Sequence, residues 1–372
     1  MEFNAKNKIQ ELLLPADIII NGDRSWDIKV RNEKLYSRVL SGGSLGLGES
    51  YMDGWWDCDR LDKFFFRVLR NGLDEKIKWN WPLLWRATIS RIFNRQSRFR
   101  AFIIGEKHYD TGNDLFQHML GKSMVYSCGY WSNANNLDEA QEAKFDLICR
   151  KIGLKKGMTL LDIGCGWGTL MRHAAKKYGV TAVGITVSKE QAELARELCQ
   201  GLPIDIRLRD YRDLKEKFDR IVSVGMFEHA GRKNYRTFMK VVYNALEDDG
   251  LFLLHTIGSN NPTGGEDPWL DKYIFPNGML PSIKQISRSI EGLFVMEDWH
   301  NFGADYDKTL MAWHKNFEDN WDKIKSKYDE KFYRMWRYYL CLCAGSFRSR
   351  KNQLWQIVLS KKGVRGGYKS IR

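Results

Sequence analysis

The stretch Leu160–Leu170, LLDIGCGWGTL, restricts the fold of this chain more than any other segment. Apolar residues lead up to Asp162, and glycines follow at every second position: Gly164, Gly166 and Gly168. Leu170, Met171, Ala174 and Ala175 then recur at helical spacing. That order reads as strand, tight loop and helix, the opening of a βαβ unit. Glycine lets backbone approach a ligand closely, and the start of the helix offers unpaired N–H groups. The spacing is G-x-G-x-G, whereas a dinucleotide fingerprint reads G-x-G-x-x-G. A glycine-rich turn in some other α/β protein would also fit the loop alone, so its neighbours decide.

Those neighbours repeat the pattern. TAVGIT, IDIRLRD, DRIVSVG, GLFLLHTIG, FVMEDWHNF and LWQIVLSKK read as six further strands with helical spacing between them, and DEAQEAKFDLICRKIGL reads as a helix before the first. Seven strands with helical crossovers predict an α/β, doubly wound, Rossmann-like sheet whose ligand crevice lies at the C-terminal strand ends. At successive ends the chain carries Asp162–Gly168, Thr186–Gln191, Asp210–Tyr211, Glu228–His229 and His255–Ser259, with Tyr306 shortly after the sixth strand. Any one of these is as readily a satisfied core or loop group, but several converging on one crevice suggest a site. Residues 1–95 read as a smaller α+β accessory domain. In it ADIIINGD and WDIKVRN form a strand pair around Gly22, and SGGSLGLGESYMDGWW is a glycine-rich loop before a helix. Residues 96–107 read as a basic linker and 108–372 as the catalytic domain.

The 372 residues, 43% hydrophobic, are enough for two cored domains. No apolar run approaches the ~20 residues that span a bilayer. The first twenty residues are broken by charges and Pro15, unlike a signal peptide. Seven scattered cysteines without a C-x-x-C pair suggest neither a metal site nor a disulfide framework, and fit a reducing cytosol. The formal charge of +13 is concentrated. Lys63–Arg100 holds ten Lys/Arg against Asp74 and Glu75, and Gly345–Arg372 holds eight with no acid. The first segment also carries Phe64, Phe65, Phe66, Trp79, Trp81, Trp85, Phe93 and Phe99. Cations mixed with large rings suit an anionic lipid surface. They could also suit nucleic acid, or be a solvated face over an aromatic core.

G-x-G-x-G with an acid two residues upstream is typical of S-adenosylmethionine-dependent methyltransferases of class I, whose ligand carries an amino group that a carboxylate can bind. An acid ending the second strand usually grips the ribose there. Here Thr186 and Ser188 stand in that place, so Gln191 or Glu190 must reach back. From about Lys107 to Leu359 the chain resembles the bacterial cyclopropane-fatty-acyl-phospholipid synthases. HYDTGNDLF, YSCGYW, VGITVSKEQ, RDYRDL, DRIVSVGMFEHAG, FLLHTIGS, KYIFPNGMLPS, MEDWHNFGADYDKTL and LCAGSFRSR carry the resemblance along with the glycine loop.

The resemblance implies a cytosolic enzyme, often dimeric, that works on unsaturated acyl chains of phospholipids still in the membrane. It would use the adenosylmethionine methyl to close a three-membered ring on the double bond. The implied cofactor contacts are Tyr126, Ser127, Asp162, Gly164, Gly166 and Gly168, then Thr186 and Gln191 near the ribose, and Asp210, Tyr211 and Arg212 by the adenine. The family also binds bicarbonate, and the matching positions are Cys128 (mainly its backbone), Glu228, His255, Ile257 (its backbone) and Tyr306. Cys343 falls on a cysteine once regarded as catalytic, for which a structural role is preferred. The expected partner is an anionic bilayer at the inner face of the cell membrane, with a homodimer and no nucleic acid. Amino-methylating nucleic-acid enzymes carry Asn/Asp-Pro-Pro-aromatic after the fourth strand, where this chain has GMFEHAG. A fatty-acyl C-methyltransferase, a small-amine N-methyltransferase and a non-catalytic lipid-binding module are the alternatives.

Overall fold

The computed structural model describes residues 2–76, 113–262 and 267–372. Among them, residues 2–76, 267–276 and 306–352 form one compact unit, and residues 113–262, 277–305 and 353–372 form the other. These units are not contiguous in sequence, a feature absent from the expected linear division. The expected linker, residues 96–107, lies outside the described residues.

The first unit is mainly helical, with helices Glu2–Leu13, Lys34–Met52, Leu61–Arg70 and Glu330–Arg348 and most of Ala304–Ile324. Its short strands β1 (Lys29–Val30) and β2 (Trp56–Asp57) pair antiparallel. The expected strand pair around Gly22 does not form: Ile20 meets Ile28 in a single bridge. Buried Asp27 is the reason. Its carboxylate accepts the N–H groups of Ile19 (2.8 Å) and Arg24 (3.0 Å), so a side chain takes the backbone donors a ladder would use. The glycine-rich run is not a loop either. Lys34–Met52 is helical, interrupted only at Gly43 (φ 57°, ψ −135°). A Cβ on Gly48 would lie 2.3 Å from the Trp269 ring, so this glycine permits close helix packing. Phe64 and Phe65, assigned above to a lipid-facing stretch, are core residues instead, in a ring cluster with Trp56 and Tyr338. The basic aromatic residues 77–100 lie outside the described residues.

The second unit carries the expected doubly wound sheet. Its strands are β3 (Thr159–Ile163), β4 (Thr181–Thr186), β5 (Ile204–Leu208), β6 (Phe218–Val224), β7 (Leu246–Ser259), β8 (Val295–Asn301) and β9 (Asn352–Ser360), in the order β5-β4-β3-β6-β7-β9-β8. β5 to β7 pair parallel through the sheet, and β8 pairs antiparallel with β9. Successive residues enter different cores, as period-two side chains require. Leu161 and Ile163 pack with Phe238 and Trp355 on one face, and Leu160 with Val222 and Leu253 on the other. Both faces are thus covered, which explains the near-continuous apolar strand sequences. Strand order reverses between β3 and β6, and their C-terminal ends flank the resulting crevice.

Candidate active site

The glycine loop closes β3 with three left-handed residues: Gly164 (φ 84°), Gly166 (φ 53°) and Gly168 (φ 77°). Each has a different reason to lack a side chain. A Cβ on Gly164 would meet Met226 at 2.7 Å, and one on Gly168 would meet the Cys199 sulfur at 2.8 Å. A Cβ on Gly166 would point into open space, with nothing within 4 Å. Gly166 is therefore where the loop backbone borders open space.

Asp162 is buried beneath this loop, and its Oδ1 has no hydrogen-bond partner. Burial pushes its carboxyl up to about 7, with Lys144 pulling the other way. Lys144 is itself wholly buried, and burial lowers it to about 7. Its Nζ donates to Ser127 Oγ (2.8 Å) and Gln141 Oε1 (2.7 Å), while Gln141 Nε2 donates to the Ser127 carbonyl (2.9 Å). One face of helix Leu137–Lys151 thus fixes the segment Tyr126–Cys128. Tyr126 packs edge-on against Phe116, and the buried Cys128 thiol donates to the Gly129 carbonyl at 3.1 Å.

At the end of β4, the Thr186 hydroxyl donates to Gln191 Oε1 (2.9 Å) and accepts the Ser188 N–H (3.2 Å). Gln191 does reach back to the strand end, held by the Ser188 cap on helix Lys189–Leu198. After β5, buried Asp210 accepts from the Arg212 N–H and its guanidinium, both at 2.9 Å. The Arg212 guanidinium lies 4.9 Å from the centre of the Tyr211 ring.

Glu228 lies on the short helix Phe227–Ala230 after β6, and His255 and Ile257 lie on the same face of β7. Glu228 Oε1 accepts the Ile257 N–H at 2.6 Å, and the His255 carbonyl accepts the Gly225 N–H at 2.9 Å. The Ile257 N–H, expected to face an anion, is therefore used by Glu228. Glu228 Oε2 and His255 Nε2 are both buried without partners. Burial raises the Glu228 carboxyl to about 7, although the Ile257 N–H favours its ionised form. Burial also holds His255 well below the ordinary imidazole value, helped by Lys144 and Lys151, so the ring is neutral. Gly164 abuts Met226, and a Cβ on Gly225 would lie 3.9 Å from the Ser127 side chain. The loop, Ser127, Glu228 and His255 thus converge at the ends of β3, β6 and β7.

Tyr306 and Cys343 belong to the other unit. Tyr306 is buried there against Phe347 (4.5 Å between ring centres) and Trp313 (6.0 Å). Cys343 is half-buried on helix Glu330–Arg348.

The sequence reading missed Gln141, Lys144 and Gln356. Gln356 Nε2 lies 3.2 Å from His255 Nδ1, and both residues are buried. A lone amide in the apolar run LWQIVL was the available signal. Lys144 gave none, because a lysine in a helix normally reads as solvated.

A model of the mycolic acid cyclopropane synthetase family matches residues 96–357. The chain is 56% identical over 362 residues to the cyclopropane-fatty-acyl-phospholipid synthase of Escherichia coli (strain K12), covering 97% of this chain and 94% of the relative. Its structure is similar to that of a cyclopropane synthase from Mycobacterium tuberculosis (TM-score 0.66, 32% identity, 70% of this chain and 98% of the other). It is also similar to a mycolic acid cyclopropane synthase complexed with SAH and CTAB (TM-score 0.65, 34% identity, 70% and 98%).

Proposed function

Because this chain belongs to the mycolic acid cyclopropane synthetase family of S-adenosylmethionine-dependent enzymes, we propose that it forms a cyclopropane ring on the cis double bond of a membrane phospholipid, with bound bicarbonate as base. The observation that carries this reading is the pair of buried, unpartnered atoms Glu228 Oε2 and His255 Nε2 after β6 and on β7, with open space at Gly166 of the glycine loop after β3. Buried polar atoms are costly without partners, so two of them at neighbouring strand ends favour a small polar occupant.

The residues fit both small molecules. Asp162 would hold the cofactor's ammonium, and Gly166 would leave room for its methionine end. Thr186, Gln191 and Asp210–Arg212 would border the nucleoside. Adenosylmethionine supplies an electrophilic methyl, and bicarbonate supplies a base less prone to methylation than a strongly basic side chain. Near neutrality the Glu228 carboxyl is substantially protonated, so it can donate to an anion rather than repel it. The neutral His255 ring adds a second donor without the permanent charge of a lysine. Tyr306 and the Cys128 backbone join the ion-binding set on the resemblance alone, as do Tyr126 and Ser127 in the cofactor set. The same basis gives a homodimer acting from the cytoplasm on the inner membrane face, with residues 108–372 catalytic and 1–95 accessory. Cys343 is assigned a structural role.

Lipid extracts of cells expressing the chain should gain one CH2 per acyl double bond by mass spectrometry. In vitro, turnover should fall in carbon-dioxide-depleted buffer and recover with added bicarbonate. Glu228→Ala, which removes a donor to the ion, should lower turnover about a hundredfold or more, as loss of an oxyanion donor does, with cofactor affinity nearly unchanged. An intact rate in bicarbonate-free buffer would remove the ion from the reading.

A further inference from the structure

We infer that Gln356 is a positioning residue: it holds His255 in the neutral tautomer that carries its proton on Nε2, making that nitrogen a hydrogen-bond donor. The inference rests on the proposed ion-binding role of His255, which it deepens.

Gln356 stands on β9, whose residues are almost all buried and apolar at this level. An amide there costs stability unless its polar atoms are used, and Leu or Met would fill the same space without that cost. The Gln356 Oε1 has no hydrogen-bond partner, so the amide is used through its nitrogen. That contact is Nε2 to His255 Nδ1, at 3.2 Å. With the amide nitrogen turned to the ring, as it stands here, the amide donates and Nδ1 presents its lone pair. In a neutral ring the remaining proton then belongs to Nε2. That nitrogen is buried without a protein acceptor, one turn of the pleat from the Ile257 N–H that anchors Glu228. A fixed Nε2–H is what a small oxyanion needs from this ring. The opposite tautomer would turn a lone pair towards the anion and repel it.

The test uses the full chain with 15N-labelled histidine, and His255→Asn identifies the ring's signals. Wild-type protein should show His255 with an unprotonated Nδ1 and a protonated Nε2. Gln356→Glu keeps the shape but offers an acceptor, so Nδ1 should gain a proton, and turnover should fall about a hundredfold, as on losing one oxyanion donor. Adenosylmethionine affinity should stay within about twofold, because that site is built on other residues. Gln356→Met removes the donor without adding charge, and its ring should populate both tautomers even if the Glu variant folds poorly. A wild-type ring protonated on Nδ1, or a tautomer indifferent to both substitutions, would overturn the inference. A tautomer that follows residue 356 while turnover ignores bicarbonate would uphold Gln356 and remove the ion-binding reading instead.

Discussion

Three buried ionisable groups, Asp162, Lys144 and Glu228, are brought to about 7 by burial, and this gives the site a pH response of its own. For Asp162 the sign follows directly. Its carboxyl is raised from the usual carboxylate value, so near pH 6 it is mostly protonated and must lose a proton to hold an ammonium. Adenosylmethionine affinity should therefore rise with pH from about 6 to 8, by up to about tenfold per unit at the acidic end. Calorimetry in buffers of different ionisation enthalpy should show proton release that fades by pH 8. Asp162→Asn should abolish that release, and a pH-independent affinity in the wild-type chain would exclude the ammonium role. At this scale the sequence put Asp162, Glu228 and His255 at strand ends, and the structure places them there, buried. It was blind to Lys144 and Gln356, whose importance comes from three-dimensional burial beside them. It also left open that the Ile257 N–H is taken by Glu228, because no spacing rule shows which donor an acid will reach.

Elements were most legible where periodicity was strong. All seven strands of the sheet stand where alternation and apolar runs place them, and Asn136, Ser188 and Ser282 cap the helices that follow them. The failures share a cause: glycine and short apolar runs were read locally, and tertiary packing decided otherwise at Gly48 and Asp27. Glycines therefore need separate tests. Gly166→Val should fold, at a cost of about 1–2 kcal/mol for the left-handed backbone, but fill that open space and block adenosylmethionine binding. Gly258→Ala should do the reverse. Its Cβ would lie 2.0 Å from the Trp355 ring inside the sheet, so the melting temperature should drop before any ligand is added. Unchanged cofactor affinity in folded Gly166→Val protein would withdraw the loop from the site.

For the whole molecule, no helix among the described residues is long and apolar enough to cross a membrane. Much of the C-terminal basic segment is already paired within its own unit. Arg348 meets Asp62 and Asp307, Lys351 meets Asp74, Lys361 and Lys362 meet Asp248, and Arg372 meets Asp298. Its outward field is correspondingly weaker than its composition implies. Each engaged cation contributes about 1 kcal/mol at an anionic surface, screened over about 8 Å in physiological salt. Vesicle binding and turnover should rise with phosphatidylglycerol and fall with salt. Changing Arg91, Arg95, Arg98 and Arg100 to Glu should weaken vesicle binding without affecting adenosylmethionine binding. Equal binding to neutral and anionic vesicles would assign these charges to another partner. The strand order also has a consequence for biosynthesis. β9 is the last strand to leave the ribosome, yet it lies between β7 and β8. At about 5–20 residues per second, β8 waits several seconds with its pairing edges unfilled, a sticky interval during which chaperones can act. Because Gln356 arrives on that same strand, its contact with His255 forms only as the sheet closes.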